Sequence, residues 1–194
     1  MNEIHNYNLN DLDSTDLERP VFNAPAIIIA NHIISQAHHY KLSLSSMKLQ
    51  AIMLLLEGAT QAKFSASLCH YKHYYVYSIT CYLPEIYLAY KNTPNDLHIK
   101  PYVHADETGK LISKPYPKLN AKMLDSELLN QKDLIKFEID RIILNLLKNQ
   151  HVIDQIIKPD IQKLPPANTS LISQMPEYDP GHIAYLFIKN KDQI

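Results

Sequence analysis

Glycine is scarce in this chain: its 194 residues include only Gly58, Gly109 and Gly181. A phosphate-cradling loop, of the Walker or the dinucleotide type, needs several glycines at short spacing so that backbone can approach the phosphates. Both types are therefore excluded. Tryptophan is absent. The two cysteines, Cys69 and Cys81, are too few for a disulfide scaffold or a four-cysteine zinc site. No sign of charge is in excess, since 19 Lys plus Arg meet 20 Asp plus Glu for a formal charge of −1. A generally basic nucleic-acid binder is excluded, while a small local patch is not. A bilayer span is lacking as well. The longest weakly charged stretch, Pro20 to Tyr40, contains His32, Gln36, His38 and His39 and falls short of the ~20 predominantly apolar residues a span needs. The start, Met1 to Asp16, has neither a cationic opening nor an apolar core. No targeting segment, no membrane insertion and a cytoplasmic location are the expectations.

The chain does have enough apolar material for one domain. A hydrophobic fraction of 46% over 194 residues supports a core without metals or cross-links. Residues 1–22 have no hydrophobic period and read as an extended arm. Residues 23–158 read as a helical domain carrying β-hairpins. Residues 159–194 read as a Pro-rich crossing and a C-terminal strand packed on the same domain. The expected class is α+β, mainly helical: a helical bundle with a small antiparallel sheet.

The elements follow from period and punctuation. Asn23 is a suitable N-cap with Pro25 in the first turn, and Ala26, Ala30, Ile33, Ala37 and Tyr40 line one helical face. Lys41 to Leu44 reads as a tight loop. Ser45 or Ser46 caps a second helix with the stripe Leu49, Ile52, Met53 and Leu56, which Gly58 is expected to stop. Leu68 to Tyr82 is aromatic and β-branched and predicts a strand. Pro84 opens a short helix to Lys91. A second hairpin is expected around Asp106 to Gly109. The strongest helix is expected from Ser126 to Asn149, with Leu128, Ile135, Ile139, Ile142, Ile143 and Leu146 buried and a break near Gln131. A further helix, His151 to Lys158, stops at Pro159. Five of the 12 prolines follow Lys158, and the crossing they make ends in a strand at Ile183 to Ile188, apolar on both faces.

Candidate chemistry is thin. Cys69, His70, His73 and Cys81 lack the paired short gaps of a zinc finger, and on a strand His70 and His73 point to opposite faces. Neither cysteine has the local signature of a nucleophile. His38 and His39 suit a helix C-terminus, where a cation favours the dipole. Glu138 and Asp140 are two apart on a helix, do not face each other, and read as solvated charges. No catalytic, cofactor or metal residue is assigned. The informative patch is tyrosine: seven of the 13 lie between Tyr71 and Tyr90. One reading is a core ladder. The other is a partner-binding face of Tyr71, His73, Tyr75 and Tyr77, because tyrosine offers large contact area at little rotamer cost.

Two ordered motifs carry a resemblance. Ile29-Ala30-Asn31-His32-Ile33-Ile34 and Leu44-Ser45-Ser46-Met47-Lys48-Leu49-Gln50 resemble the opening helices of Panacea domains, a family of antitoxin-like and phage-associated proteins. Thr80-Cys81-Tyr82-Leu83-Pro84-Glu85-Ile86-Tyr87 matches the latter half of that family's turn into a helix. The chain diverges where the family has Gly-Pro (Thr80-Cys81), a second lysine (Ala51) and a strand tryptophan (Tyr77). The resemblance implies a non-enzymatic, bacterial protein-binding role: an antitoxin-like neutraliser, or an adaptor or chaperone-like subunit of a secretion or effector assembly. An enzyme of unrecognised type is the other class. No cofactor is implied, the expected partner is another protein, and homo-oligomerisation is left open. The motif positions Lys48, Leu49, Gln50, Pro84, Glu85 and Tyr87 are expected to be structural.

Overall fold

The computed structural model describes residues 24–68, 75–77, 80–83, 86, 89–90, 97–116, 118–124, 132–149 and 188. The expected arm, the helix after residue 150 and the Pro-rich crossing lie outside them. The described elements are α1 (Ala26–His39), α2 (Ser46–Phe64), β1 (Tyr75–Tyr77), β2 (Thr80–Tyr82), β3 (Pro101–Ala105), β4 (Leu111–Pro115), a 3-10 turn (Ala121–Met123) and α3 (Lys132–Lys148). The class is α+β, mainly helical: among the described residues there are three helices and two small antiparallel hairpins, β1–β2 and β3–β4, and Ile86, Ala89 and Tyr90 of the expected Pro84 to Lys91 helix are helical too.

α1 begins one residue after Pro25, which sits outside the helix with ψ 137° and accepts from Ile28 N and Ile29 N through its carbonyl. The chain leaves α1 through a Schellman turn. Leu42 N donates to Ala37 O at 2.8 Å, Lys41 N donates to His38 O at 3.1 Å, and Lys41 takes the left-handed conformation at φ 55°. Tyr40, expected on the buried face, is 44% exposed, because the helix has already ended at His39.

α2 overturns the striped reading. Every residue from Lys48 to Thr60 is buried. The helix is central, packed by α1, α3 and β2, so all of its sides face protein. Nor does it stop at Gly58. It runs to Phe64 and ends at Ser65, whose φ of 52° is left-handed. A mid-helix glycine costs only about 1 kcal/mol relative to alanine, and burial around it outweighs that. Ser45 does cap the start, its Oγ accepting from Lys48 N.

α3 follows its expected stripe: Ile135, Ile139, Ile142, Ile143 and Leu146 are buried, with Leu147 beside them. Burying each such aliphatic side chain stabilises the fold by about 1.5–3 kcal/mol. Leu128 and Gln131 lie outside the described residues.

The single strand expected in the tyrosine run is instead a hairpin of two three-residue strands, with Tyr75 opposite Tyr82, Val76 opposite Cys81 and Tyr77 opposite Thr80. Its described partner is therefore β2 and not the C-terminal strand. Ile188, the one described residue of that expected strand, is helical and 49% exposed. The β3–β4 hairpin turns where the sequence places it. Asp106 Oδ1 accepts from Thr108 N, Thr108 Oγ1 and Lys110 N, and Gly109 supplies a φ of +80°.

Candidate functional site

The Lys-Leu-Gln motif lies in the centre of the molecule. Lys48 is buried, and its Nζ donates to Leu147 O at 2.6 Å. That carbonyl belongs to the last turn of α3, where no intrahelical donor remains and the dipole favours a cation. Leu49 is fully buried in the core. Gln50 is buried, and its Oε1 accepts from Leu83 N at 2.7 Å, tying α2 to the end of β2. The three residues hold α3, the core and the β1–β2 hairpin respectively. Pro84, Glu85 and Tyr87 lie outside the described residues.

A second polar knot closes α2. The Glu57 carboxylate is 1% exposed. Its Oε2 accepts from Leu68 N at 2.9 Å, and its Oε1 accepts from Ser67 Oγ at 2.5 Å and Gln61 Nε2 at 2.8 Å. It fixes the path of the chain as it leaves the helix. A buried carboxylate is tolerated only when its lone pairs are met in this way.

A third joins α1 to α3. His32 is buried, and its Nε2 donates to Asp140 Oδ1 at 2.6 Å; Lys136 Nζ donates to Oδ2 of the same carboxylate at 2.5 Å. Burial works to raise the Asp140 pKa, but the hydrogen bonds and charges of His32 and Lys136 outweigh it and hold the carboxyl below its ordinary value. Asp140 is thus not the solvated helix charge its sequence position suggested. Beside His32, Asn31 Oδ1 accepts from Tyr90 OH at 2.7 Å. Burial pushes the Tyr90 phenol up to about 12, against an opposing backbone hydrogen bond from Lys100. Asn31 Nδ2 and His32 Nδ1 are buried and, among the described residues, find no hydrogen-bond partner. The legible signal for this group was the Asn31-His32 pair standing between the apolar pairs Ile29-Ala30 and Ile33-Ile34. Its partners are distant in sequence and gave none. Glu138, by contrast, does carry surface charge pairs, to Lys63 and Arg141.

The contacts seen at these positions hold helices and chain exits together. A histidine-carboxylate pair can activate a nucleophile when the other ring nitrogen faces a hydroxyl or thiol. Among the described residues no hydroxyl or thiol bonds His32 Nδ1. A shallow cleft of about 440 Å³ lies at the end of α1, lined by Ala37, His38, Lys41, Leu42, Ser43 and His98. His38 Nε2 donates to Leu97 O at 2.6 Å, and the His38 and His98 rings meet edge to face at 5.6 Å. Two imidazoles fall short of a metal-ligand set. Among the described residues no group of three or more His, Cys, Asp or Glu could hold a metal ion. Cys69, His70 and His73 lie outside those residues.

Of the four residues proposed for partner binding, Tyr71 and His73 lie outside the described residues. Tyr75 and Tyr77 are two apart on β1 and share one face of its hairpin. Among the residues whose burial is described, exposed apolar side chains stand in pairs at two places. Val103 is 63% exposed and Leu111 72% on the β3–β4 hairpin, and Leu134 (55%) and Phe137 (63%) form an i, i+3 pair on α3. The α3 pair was legible as the side opposite the Ile135 stripe.

No described helix is long and apolar enough to cross a membrane. Compared with family models, with curated proteins and with solved structures, the chain finds no match.

Proposed function

We propose that the chain is a non-enzymatic, cytoplasmic protein-binding module, an antitoxin-like neutraliser or adaptor that works by engaging another protein. The observation that carries this reading is the paired placement of exposed large apolar side chains, Val103 with Leu111 and Leu134 with Phe137. Such side chains standing singly need no explanation, but grouped on rigid elements they favour a contact surface. The buried polar residues, meanwhile, are spent on internal bonds. The resemblance to Panacea domains, carried by Lys48, Leu49 and Gln50, points to the antitoxin-like form. Tyr71, His73, Tyr75 and Tyr77 are proposed, from the sequence pattern, as further partner-contact positions.

The test is isolation of the full chain from its native cells under gentle conditions, followed by mass measurement of the intact complex. A second protein in fixed stoichiometry is expected, weakened by Tyr75→Ala or Phe137→Ala at unchanged melting temperature. A chain that runs alone at native concentration, unchanged by either substitution, would overturn the reading.

A further inference from the structure

The polar side of the cleft at the end of α1 consists of hydrogen-bond donors. His38, Lys41, Ser43 and His98 line it, with Ala37 and Leu42 as the apolar remainder, and none of the six is acidic. Its volume of about 440 Å³ falls within the ~300–1,000 Å³ of small-ligand sites. Two distant stretches of chain meet there. His38 Nε2 donates to Leu97 O at 2.6 Å across 59 residues, and Leu97 N donates to Leu44 O at 3.4 Å. These bonds set His98 beside the end of α1, its ring edge to face with His38 at 5.6 Å.

The donors of the cleft are uncommitted, and the acceptors around it are not. Among the described residues, the Lys41 ammonium, the Ser43 hydroxyl and the His98 ring nitrogens have no hydrogen bond or ion pair. All three residues are exposed. The carbonyls at the end of a helix repel an anion, but here each is met by a donor: Gln36 O by Tyr40 N, Ala37 O by Leu42 N and His38 O by Lys41 N. Leu97 O is met by His38. Lys41 itself stands at the left-handed position of the turn, φ 55°, where glycine is usual. Its side chain adds no bond to that turn and leaves an ammonium at the cleft.

We propose that this cleft binds a phosphate dianion through Lys41, Ser43 and His98. The inference stands apart from the protein-binding reading and does not rest on it. A lysine brings three donors, a serine one and a neutral imidazole one, about five in all, against the roughly four lone-pair sites of a carboxylate. A phosphate has three strong acceptor oxygens and close to two charges, which uses that set more fully. Charge-assisted hydrogen bonds of this kind are about twice as strong as neutral ones. His38 is the positioning residue: with Nε2 held on Leu97 O, its ring fixes the face against which His98 stands. The cleft is shallow, so the phosphate can be inorganic or can carry a substituent that extends into water.

The test titrates the full chain with inorganic phosphate, phenyl phosphate and benzoate in a calorimeter at one ionic strength. Saturable binding of a phosphate is expected with a Kd of about 1 mM, and benzoate should bind about tenfold more weakly. Lys41→Met and Lys41→Gly should each weaken phosphate binding about tenfold. Lys41→Gly should do so while raising the melting temperature, because glycine relieves the left-handed backbone; a residue that served only the fold would not separate the two. His98→Phe keeps a ring against His38, removes the donor, and should weaken binding with the melting temperature held. Tighter binding of phenyl phosphate than of inorganic phosphate supports the site and assigns it to a phosphate monoester; the reverse order supports it and assigns it to free phosphate. No saturable binding of either phosphate overturns the proposal. So does benzoate binding as tightly as phenyl phosphate, or an affinity that both Lys41 variants leave unchanged.

Discussion

Asp140→Asn is the sharpest probe of how the helices are joined. The substitution keeps the shape of the side chain and removes its charge. One amide oxygen can still accept from His32 Nε2, now 2.6 Å from a carboxylate oxygen, but the amide NH2 then faces the Lys136 ammonium, donor against donor. The alternative flip strands the buried His32 N–H. Hydrogen bonds to a charged group contribute about 1.5–3 kcal/mol, and stranding a buried donor costs about 1–3 kcal/mol. The Asp140 side chain is 33% exposed, so screening reduces the charge contribution. The expected net loss is about 2 kcal/mol, which for a chain of this size lowers Tm by about 4–8 °C. Urea unfolding of both proteins at each pH measures it. The pH dependence has a definite sign. The folded Asp140 carboxyl lies below its ordinary 3.8, so its contribution is fully present above that value and disappears as pH falls through the lower folded value. The gap between wild type and Asp140→Asn should therefore hold from pH 7 to about 5 and close in stronger acid. In a Lys136→Met background most of the loss should remain, because His32 is the more deeply buried partner. A loss below about 0.5 kcal/mol, the scale of an ordinary surface substitution, would refute the reasoning, as would a gap that widens in acid.

Further outcomes follow from single contacts. Lys48→Met keeps the stem but leaves the Leu147 carbonyl without its ammonium donor; a loss of about 2–3 kcal/mol is expected in denaturant unfolding, and an unchanged midpoint would count against Lys48 as the cap of α3. Lys41→Gly and Ser65→Gly relieve left-handed residues at the ends of α1 and α2 and should each stabilise the fold by about 1 kcal/mol; destabilisation by either would show that the side chain matters more than the backbone. Tyr90 should ionise near pH 12, above the ordinary ~10, in a spectrophotometric titration. Its raised folded value gives a stabilisation that is complete below pH 10 and lost as pH rises through about 12. Tyr90→Phe should delete that step, and a titration curve unchanged by the substitution would exclude the assignment.

What the sequence settled by itself is local. The Ile135, Ile139, Ile142, Ile143, Leu146 stripe marks the buried side of α3, because side chains three and four apart share a helical face whatever they later pack against. A serine cap at Ser45 or Ser46 was legible for α2, of which the structure uses Ser45, and Gly109 turns the second hairpin, since both act through backbone groups a few residues away. The mainly helical α+β class follows from such signals. The tertiary structure decided everything that depends on what stands opposite. α2 is enclosed on all sides and runs through Gly58, because burial by three neighbouring elements outweighs a local stop signal. Lys48 reaches Leu147 across 99 residues and His32 reaches Asp140 across 108; a polar residue in an apolar helix demands a partner but does not say where in the chain that partner lies. Alternation assigns Val103 and Leu111 to one face of their hairpin. That this face meets water and not the core depends on where the hairpin stands against the helices, and no local pattern encodes it.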